Sequence, residues 1–149
     1  MPEESHVEAL VHQVQVQHKE LHRILDEIRS QCDRLAIAQE AAGAVTQLRE
    51  ILHRLKVFLE RHFQQEEEGG WLEEAASRIP RLSHSLTELE KQHRELLAQT
   101  DQVRARLKLA PDEIGRSVPQ FIALIDAIKA HEAREEEVLS QGFNEEIET

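Results

Sequence analysis

Two short stretches carry ligand chemistry: His62-Phe63-Gln64-Gln65-Glu66-Glu67-Glu68 and His131-Glu132-Ala133-Arg134-Glu135-Glu136-Glu137. In each, a histidine and a glutamate stand four residues apart. On a helix such residues lie one above the other, so an imidazole nitrogen and a carboxylate oxygen face the same way. That is half of a metal site. Both pairs also fall where the surrounding pattern requires leucine. His62 and Glu66 continue the series Val45, Leu48, Leu52, Leu55 and Leu59; His131 and Glu135 follow Phe121, Leu124 and Ile128 and precede Val138. Steps of three and four mark the buried stripe of an amphipathic helix, so these polar side chains are expected to point into a core.

Two further stripes hold one histidine each. His18 sits in Val7, Val11, Val14, Leu21, Leu25, Ile28, Cys32 and Leu35, and His93 in Leu82, Leu86, Leu89, Leu96, Thr100, Val103 and Leu107. The chain also repeats itself. Gln17-His18-Lys19-Glu20-Leu21 returns as Gln92-His93-Arg94-Glu95-Leu96, and His62-x-x-x-Glu66 as His131-x-x-x-Glu135, at offsets of 75 and 69 residues. This is a duplicated helical hairpin.

A length of 149 residues suits one domain over 1-149, with its core over about 5-141. Few Gly and Pro, with many Leu, Ala, Glu, Gln and Arg, favour helix nearly throughout. The expected fold is all-α, an antiparallel up-down-up-down four-helix bundle. Ser5 with Glu8 forms a capping box that would start the first helix, and Ala36 to Gly43 suits a turn. Gly69-Gly70 is expected to weaken or kink the second helix, with the chain turning near Ser77 to Pro80. Ala110-Pro111 and Gly115 mark the last turn, and the acidic end from Asn144 is expected to fray.

Between antiparallel neighbours, height is distance from the turn. His18 stands roughly twenty residues before the first turn and His62 roughly nineteen after it; His93 and His131 stand about fifteen and fourteen residues from the last, at about 1.5 Å each. His62 and His93 match in height if the second helix continues past Gly69-Gly70 toward Pro80, and the four histidines then share one layer, with Glu66 and Glu135 one turn further on. At about 100° per residue, His53 and His84 lie nearly opposite the buried stripes and His6 and His12 about 120° away, as solvated surface residues. His22 is about 40° from His18 and one turn along, which makes it a further candidate nitrogen ligand.

A single inward histidine is more often a hydrogen-bonded core residue than a ligand. Four at one level, beside two inward carboxylates that could not stay charged without partners, point to a metal. Glu67, Glu68, Glu136 and Glu137 read as solvated neighbours. Trp71, Phe58, Phe63 and Phe121 read as core packing, with Phe63 able to wall a metal pocket, and Cys32 as a small buried apolar residue. Imidazoles and carboxylates without a nearby thiolate suit iron, manganese or zinc, and six or more ligands exceed what one tetrahedral zinc needs.

Taken together, the inward His18, His62-Phe63-x-x-Glu66, His93 and His131-x-x-x-Glu135 resemble the hemerythrin family, specifically its HHE cation-binding branch, over essentially the whole chain. The resemblance implies two non-haem iron ions joined by an oxo or hydroxo bridge, with manganese or zinc as substitutes. His18 and His62 would hold one ion, His93 and His131 the other, and Glu66 and Glu135 would bridge them. It implies dioxygen or another small diatomic ligand, in oxygen or iron sensing, storage or delivery. A peroxidase or oxidase at the same centre is the alternative, and a metal-free interaction bundle a third reading. The chain departs from the oxygen carriers of that family in two places. Their second histidine, four residues after the third-helix ligand, is Leu97 here, and the equivalent pair is His18-x-x-x-His22. Their carboxylate five residues after the last histidine is Glu136, whereas Glu135 stands at four. Glu50-x-x-His53 and Glu90-x-x-His93 also spell the ferritin-like Glu-x-x-His motif, but His53 faces away from its stripe and the outer helices lack the lone glutamate which that arrangement needs.

A net charge of −11 argues against nucleic acid or an anionic membrane as partner; no protein partner is indicated. The acidic Met1-Pro2-Glu3-Glu4-Ser5 start, with no long apolar run, leads to the expectation of a soluble cytoplasmic protein. One cysteine excludes an internal disulfide, and the lack of tyrosine excludes a tyrosyl radical.

Overall fold

The computed structural model describes residues 2–144, apart from the side chains of residues 2–5, 7, 143 and 144. The helices are α1 (Pro2–Leu35), α2 (Ala41–Glu67), α3 (Trp71–Arg78), α4 (Ser83–Arg106), α5 (Pro111–Arg116) and α6 (Val118–Leu139). A 3₁₀ turn at Pro80–Leu82 precedes α4 and a π turn at Ser140–Asn144 follows α6. No strand occurs among the described residues, and no helix is long and apolar enough to cross a membrane.

The three-and-four stripes decide the packing. The stripe residues from Val14 to Cys32 on α1, and those named above on α2, α4 and α6, are buried. α1 lies against α2 and α6, and α4 lies against the same two helices, so the four stripes face a common interior. Thr100, fully buried on α4, is tolerated there because its hydroxyl donates to the Leu96 carbonyl at 2.8 Å.

The apolar interior is divided. One cluster runs from Leu21 to Cys32 on α1 and from Val45 to Phe63 on α2, and meets Leu96, Val103 and Leu107 and the residues from Ile114 to Ile128. The other joins Leu10 and Val14 to Trp71, Leu72 and Ala75 of α3, to Leu82, Leu86 and Leu89, and to Val138 and Leu139. Between them lie the inward histidines and glutamates. Each fully buried leucine contributes roughly 1.5–3 kcal/mol, so two apolar clusters can support a polar layer that does not stabilise the fold by itself.

The local expectations need four corrections. α1 begins at Pro2, so Ser5 lies inside the helix and not at its cap; the Ser5 side chain lies outside the described residues. α1 ends at Leu35 and α2 starts at Ala41, which places Gly43 within α2. At Gly69-Gly70 the helix stops outright. Gly69 adopts φ 77°, and its N–H is taken by the Glu73 carboxylate at the start of α3. Finally, α5 occupies the last connection, where a plain turn was expected. Most of the acidic terminus expected to fray lies outside the described residues.

Gly70 explains why α3 can fold back over the end of α2. A Cβ there would lie 2.0 Å from the Gln65 carbonyl oxygen and 2.8 Å from the Glu66 Cα, both backbone atoms that cannot yield. Gly70→Ala is therefore expected to lower the thermal midpoint by several degrees, the cost of about 1–3 kcal/mol for overpacking. An unchanged midpoint in a calorimetric scan would contradict this close approach.

Candidate metal centre

His18 of α1, His62 of α2, His93 of α4 and His131 of α6 meet in the polar layer, each no more than 4% exposed; Glu66 is 3% exposed and Glu135 0%. The rings pair as His18 with His62, centroids 5.5 Å apart, and His93 with His131, 4.9 Å apart. Single donor atoms from His18, His62, Glu66 and Glu135 lie within 4.8 Å of one another, and so do those from His93, His131 and Glu135. Glu135 belongs to both groups. Glu66 Oε1 also lies between the halves, 3.3 Å from His62 Nε2 and 3.3 Å from His93 Nε2.

The two nitrogens of each ring are used differently. His62 Nδ1 donates to Gln17 Oε1 at 2.6 Å and His131 Nδ1 to Gln92 Oε1 at 2.7 Å. His18 Nδ1 donates to Glu136 Oε1 at 3.0 Å and His93 Nδ1 to Glu67 Oε2 at 3.3 Å. Gln17 is held the right way round because its amide N–H donates to Gln65 Oε1 at 2.7 Å, which leaves its oxygen for His62. An acceptor at every Nδ1 places the ring proton there and leaves Nε2 a lone pair, the form in which imidazole binds a metal. All four Nε2 atoms are buried and make no hydrogen bond. Each half has one histidine backed by an amide and one backed by a carboxylate.

Among the described residues, every buried side-chain nitrogen or oxygen without a hydrogen bond belongs to these four histidines, to Glu66 and Glu135, or to Glu132. Each such atom costs about 1–3 kcal/mol when left unpaired. Clustered inward lone pairs with one missing partner in common fit a cation, which would satisfy all of them at once.

The electrostatics of the metal-free chain express the same shortage. Burial, reinforced by the neighbouring imidazoles His18 and His93, pulls His62 down from 6.5 to about 4 against the opposing pull of Glu66. Burial and His93 likewise take His131 to about 3. Burial, then the charge of Glu66, push Glu135 well above the carboxylate range. Burial also pushes Glu66 upward, but Glu135, His93 and His62 outweigh it and hold Glu66 below that range. The pair therefore shares one proton.

Trp71 belongs to the site, contrary to its reading as packing alone. It is 2% exposed, and its indole N–H donates to Glu66 Oε2 at 2.7 Å, which leaves Glu66 Oε1 to face the histidines. Phe63 does wall the pocket, stacked on His93 with centroids 3.9 Å apart. Glu67 and Glu136, expected to be only solvated, support His93 and His18. Cys32 is buried, and burial followed by the Asp33 charge push its thiol to about 11, which keeps it inert. His6, His12, His53 and His84 are exposed, as expected.

His22 is not brought into the cluster. It is half exposed, and its Nε2 lies 2.9 Å from Glu132 Oε2. Glu132 went unnoticed in the sequence, although it is 3% exposed and pushed to about 8, first by burial and then by Glu136. A signal existed: Ile125, Glu132 and Leu139 recur every seven residues beside the main stripe of α6, as Leu10, Gln17 and Ile24 do on α1. Two Gln-His pairs in the repeat were a second signal for the glutamines.

Gln17→Leu, which removes the acceptor from His62 Nδ1, is expected to weaken binding of a divalent cation by about 10- to 100-fold with little change in fold. Competition against a chromophoric chelator measures it; an unchanged affinity would reduce Gln17 to packing.

Neither a curated protein nor a solved structure matches the chain. A family model does, that of the Hemerythrin HHE cation binding domain, over residues 9–141. That span takes in all four inward histidines and both inward glutamates, and the chain belongs to this family.

Proposed function

We propose that the protein is a hemerythrin-like non-haem di-iron protein that binds dioxygen or a related small ligand. In this reading the chain is one domain over 1-149, an antiparallel up-down-up-down four-helix bundle, supported by the mutual packing of α1, α2, α4 and α6. His18 and His62 hold one ion and His93 and His131 the other. Glu135 and Glu66, which lie between the two histidine pairs, would complete the donor set, and manganese or zinc would suit the same donors. His22 stays outside the ligand set, paired with Glu132. The observation that carries the reading is the convergence of four inward Nε2 lone pairs beside Glu66 and Glu135, each imposed by an acceptor at Nδ1.

When bound, a ferrous pair supplies the two electrons with which dioxygen can be held reversibly. The chain's own residues do the rest. Gln17, Gln92, Glu67 and Glu136 hold the imidazoles in orientation, Trp71 restrains Glu66, and the two apolar clusters on either side exclude bulk water. Role, whether sensing, storage or delivery of oxygen or iron, follows from whether the small ligand returns unchanged.

The test is purification under nitrogen, metal analysis, then admission of air while the visible spectrum is recorded. Two irons per chain, with a band that appears in air and vanishes on evacuation, are expected. Rapid consumption of added peroxide would favour the peroxidase or oxidase alternative, and a chain that retains no metal would end the proposal.

A further inference from the structure

The two halves of the centre are alike except on one flank. Under the repeat His18 matches His93, Gln17 matches Gln92, His62 matches His131, and Glu67 matches Glu136, and each pair plays one part in both halves. By the same offsets Phe63 corresponds to Glu132 and Leu97 to His22. Phe63 and Leu97 close their flank with hydrocarbon: Phe63 is stacked on His93, and Leu97 packs against the core. On the other flank Glu132 is buried 3.8 Å from His18 Nδ1, and its Oε1 makes no hydrogen bond. Its Oε2 lies 2.9 Å from Nε2 of His22, whose side chain is 53% exposed. His22 in turn lines a surface cavity of about 400 Å³ together with His12, His18, Lys19 and Glu136. A file of ligand-type atoms thus leads from solvent to the ring of His18.

We infer that this flank is the port through which a divalent cation reaches the buried centre, with His22 and Glu132 as transient ligands that receive the ion from the cavity and pass it inward. The inference rests on the metal-binding reading above. A hydrated cation cannot cross hydrocarbon, because each water it sheds must be replaced by another donor. The Phe63 and Leu97 flank has none to offer. The opposite flank has an imidazole at the surface and a carboxylate beneath it, with Glu136 alongside; Lys19 at the rim is opposed by these two carboxylates. Phenylalanine at the matching position shows that the bundle can fill this place with hydrocarbon, so packing does not require a carboxylate there. A buried carboxylate whose one close partner is a half-exposed imidazole is costly, and transit of a cation accounts for its presence.

Uptake kinetics test the port. Metal-free chain is mixed with Co²⁺ under nitrogen, and the visible absorption of the bound ion is followed to completion in wild type, His22→Leu and Glu132→Gln. His22 is exposed and Glu132→Gln keeps shape, so both variants should fold, as far-ultraviolet circular dichroism will verify. The uptake rate is expected to fall by about tenfold or more in each, since each variant removes one of the donors that would replace water shed by the ion. Final stoichiometry and final spectrum should equal those of wild type, and exposed His84→Leu should load at the wild-type rate. Unchanged rates in both variants would overturn the port. An altered spectrum or stoichiometry at saturation would overturn it differently, by making Glu132 or His22 a resident ligand. A wild-type chain that takes up no Co²⁺ would instead overturn the metal-binding reading itself, and the port with it.

Discussion

Glu135→Leu is expected to move stability in opposite directions with and without metal. In the metal-free chain Glu135 is fully buried beside Glu66, its Oε1 lies 2.6 Å from His131 Nε2, and burial and Glu66 push its carboxyl up. Leucine has a similar volume and no such demand, so the metal-free variant should gain about 1–3 kcal/mol. With metal the sign reverses. Glu135 is the residue common to both groups of converging donors, and its loss should take bound iron from two ions per chain to fewer than one. A ligand at a hundredfold excess over its dissociation constant stabilises by about 2.7 kcal/mol, and that increment would disappear. Paired thermal melts with and without Fe²⁺ under nitrogen, together with metal analysis, make the comparison. A variant that is less stable without metal, yet retains both ions, would show that Glu135 is structural. His53→Ala, on the exposed face, should alter neither quantity.

The metal-free chain should also show a broad maximum of stability at mildly acidic pH. His62 falls from 6.5 to about 4 on folding, so the unfolded chain takes up this proton first. Its contribution is full above pH 6.5 and is lost progressively down to pH 4, a change of about 3 kcal/mol. His131, lowered to about 3, acts the same way over a slightly wider window. Glu132 has the opposite sign. Raised from 4.5 to about 8 on folding, it contributes stability that is present below pH 4.5 and lost as pH rises to 8, and Glu135 acts in the same direction. Between pH 4.5 and 6.5 the two trends oppose each other, so stability peaks there. Metal needs neutral imidazoles and charged carboxylates, so its affinity should rise with pH and its uptake should release protons. Urea melts from pH 4 to 8, without and with metal, would show this; a metal-free chain that becomes steadily more stable toward pH 8 would contradict it.

The reach of local pattern explains which features were legible beforehand. The stripes placed His18, His62, His93, His131, Glu66 and Glu135 inward because burial follows helical periodicity, a property of a few neighbouring residues, and all six are buried. The same periodicity set His53 and His84 outward. Good helical sequence after Gly69-Gly70 and the height match of His62 with His93 predict a kink there; what ends α2 is the fold-back at Gly70, where there is no room for a Cβ, and the two histidines meet at Glu66 all the same. The angle from His18 predicts His22 near the centre, but its Nε2 lies 2.9 Å from Glu132 on α6, a contact between helices that spacing along α1 does not report.

Residue spacing by itself determined the helices, their inward faces and the donors held within them, because each depends on contacts within about one turn of chain. Tertiary structure alone decided which nitrogen of each imidazole faces inward. Gln17 reaches His62 across 45 residues, Gln92 reaches His131 across 39, Glu67 reaches His93 across 26, and Glu136 reaches His18 across 118. An amide or carboxylate on one helix sets the tautomer of a histidine on the next. Periodicity along a single helix cannot report such a contact, because it forms only when two helices pack at a particular register.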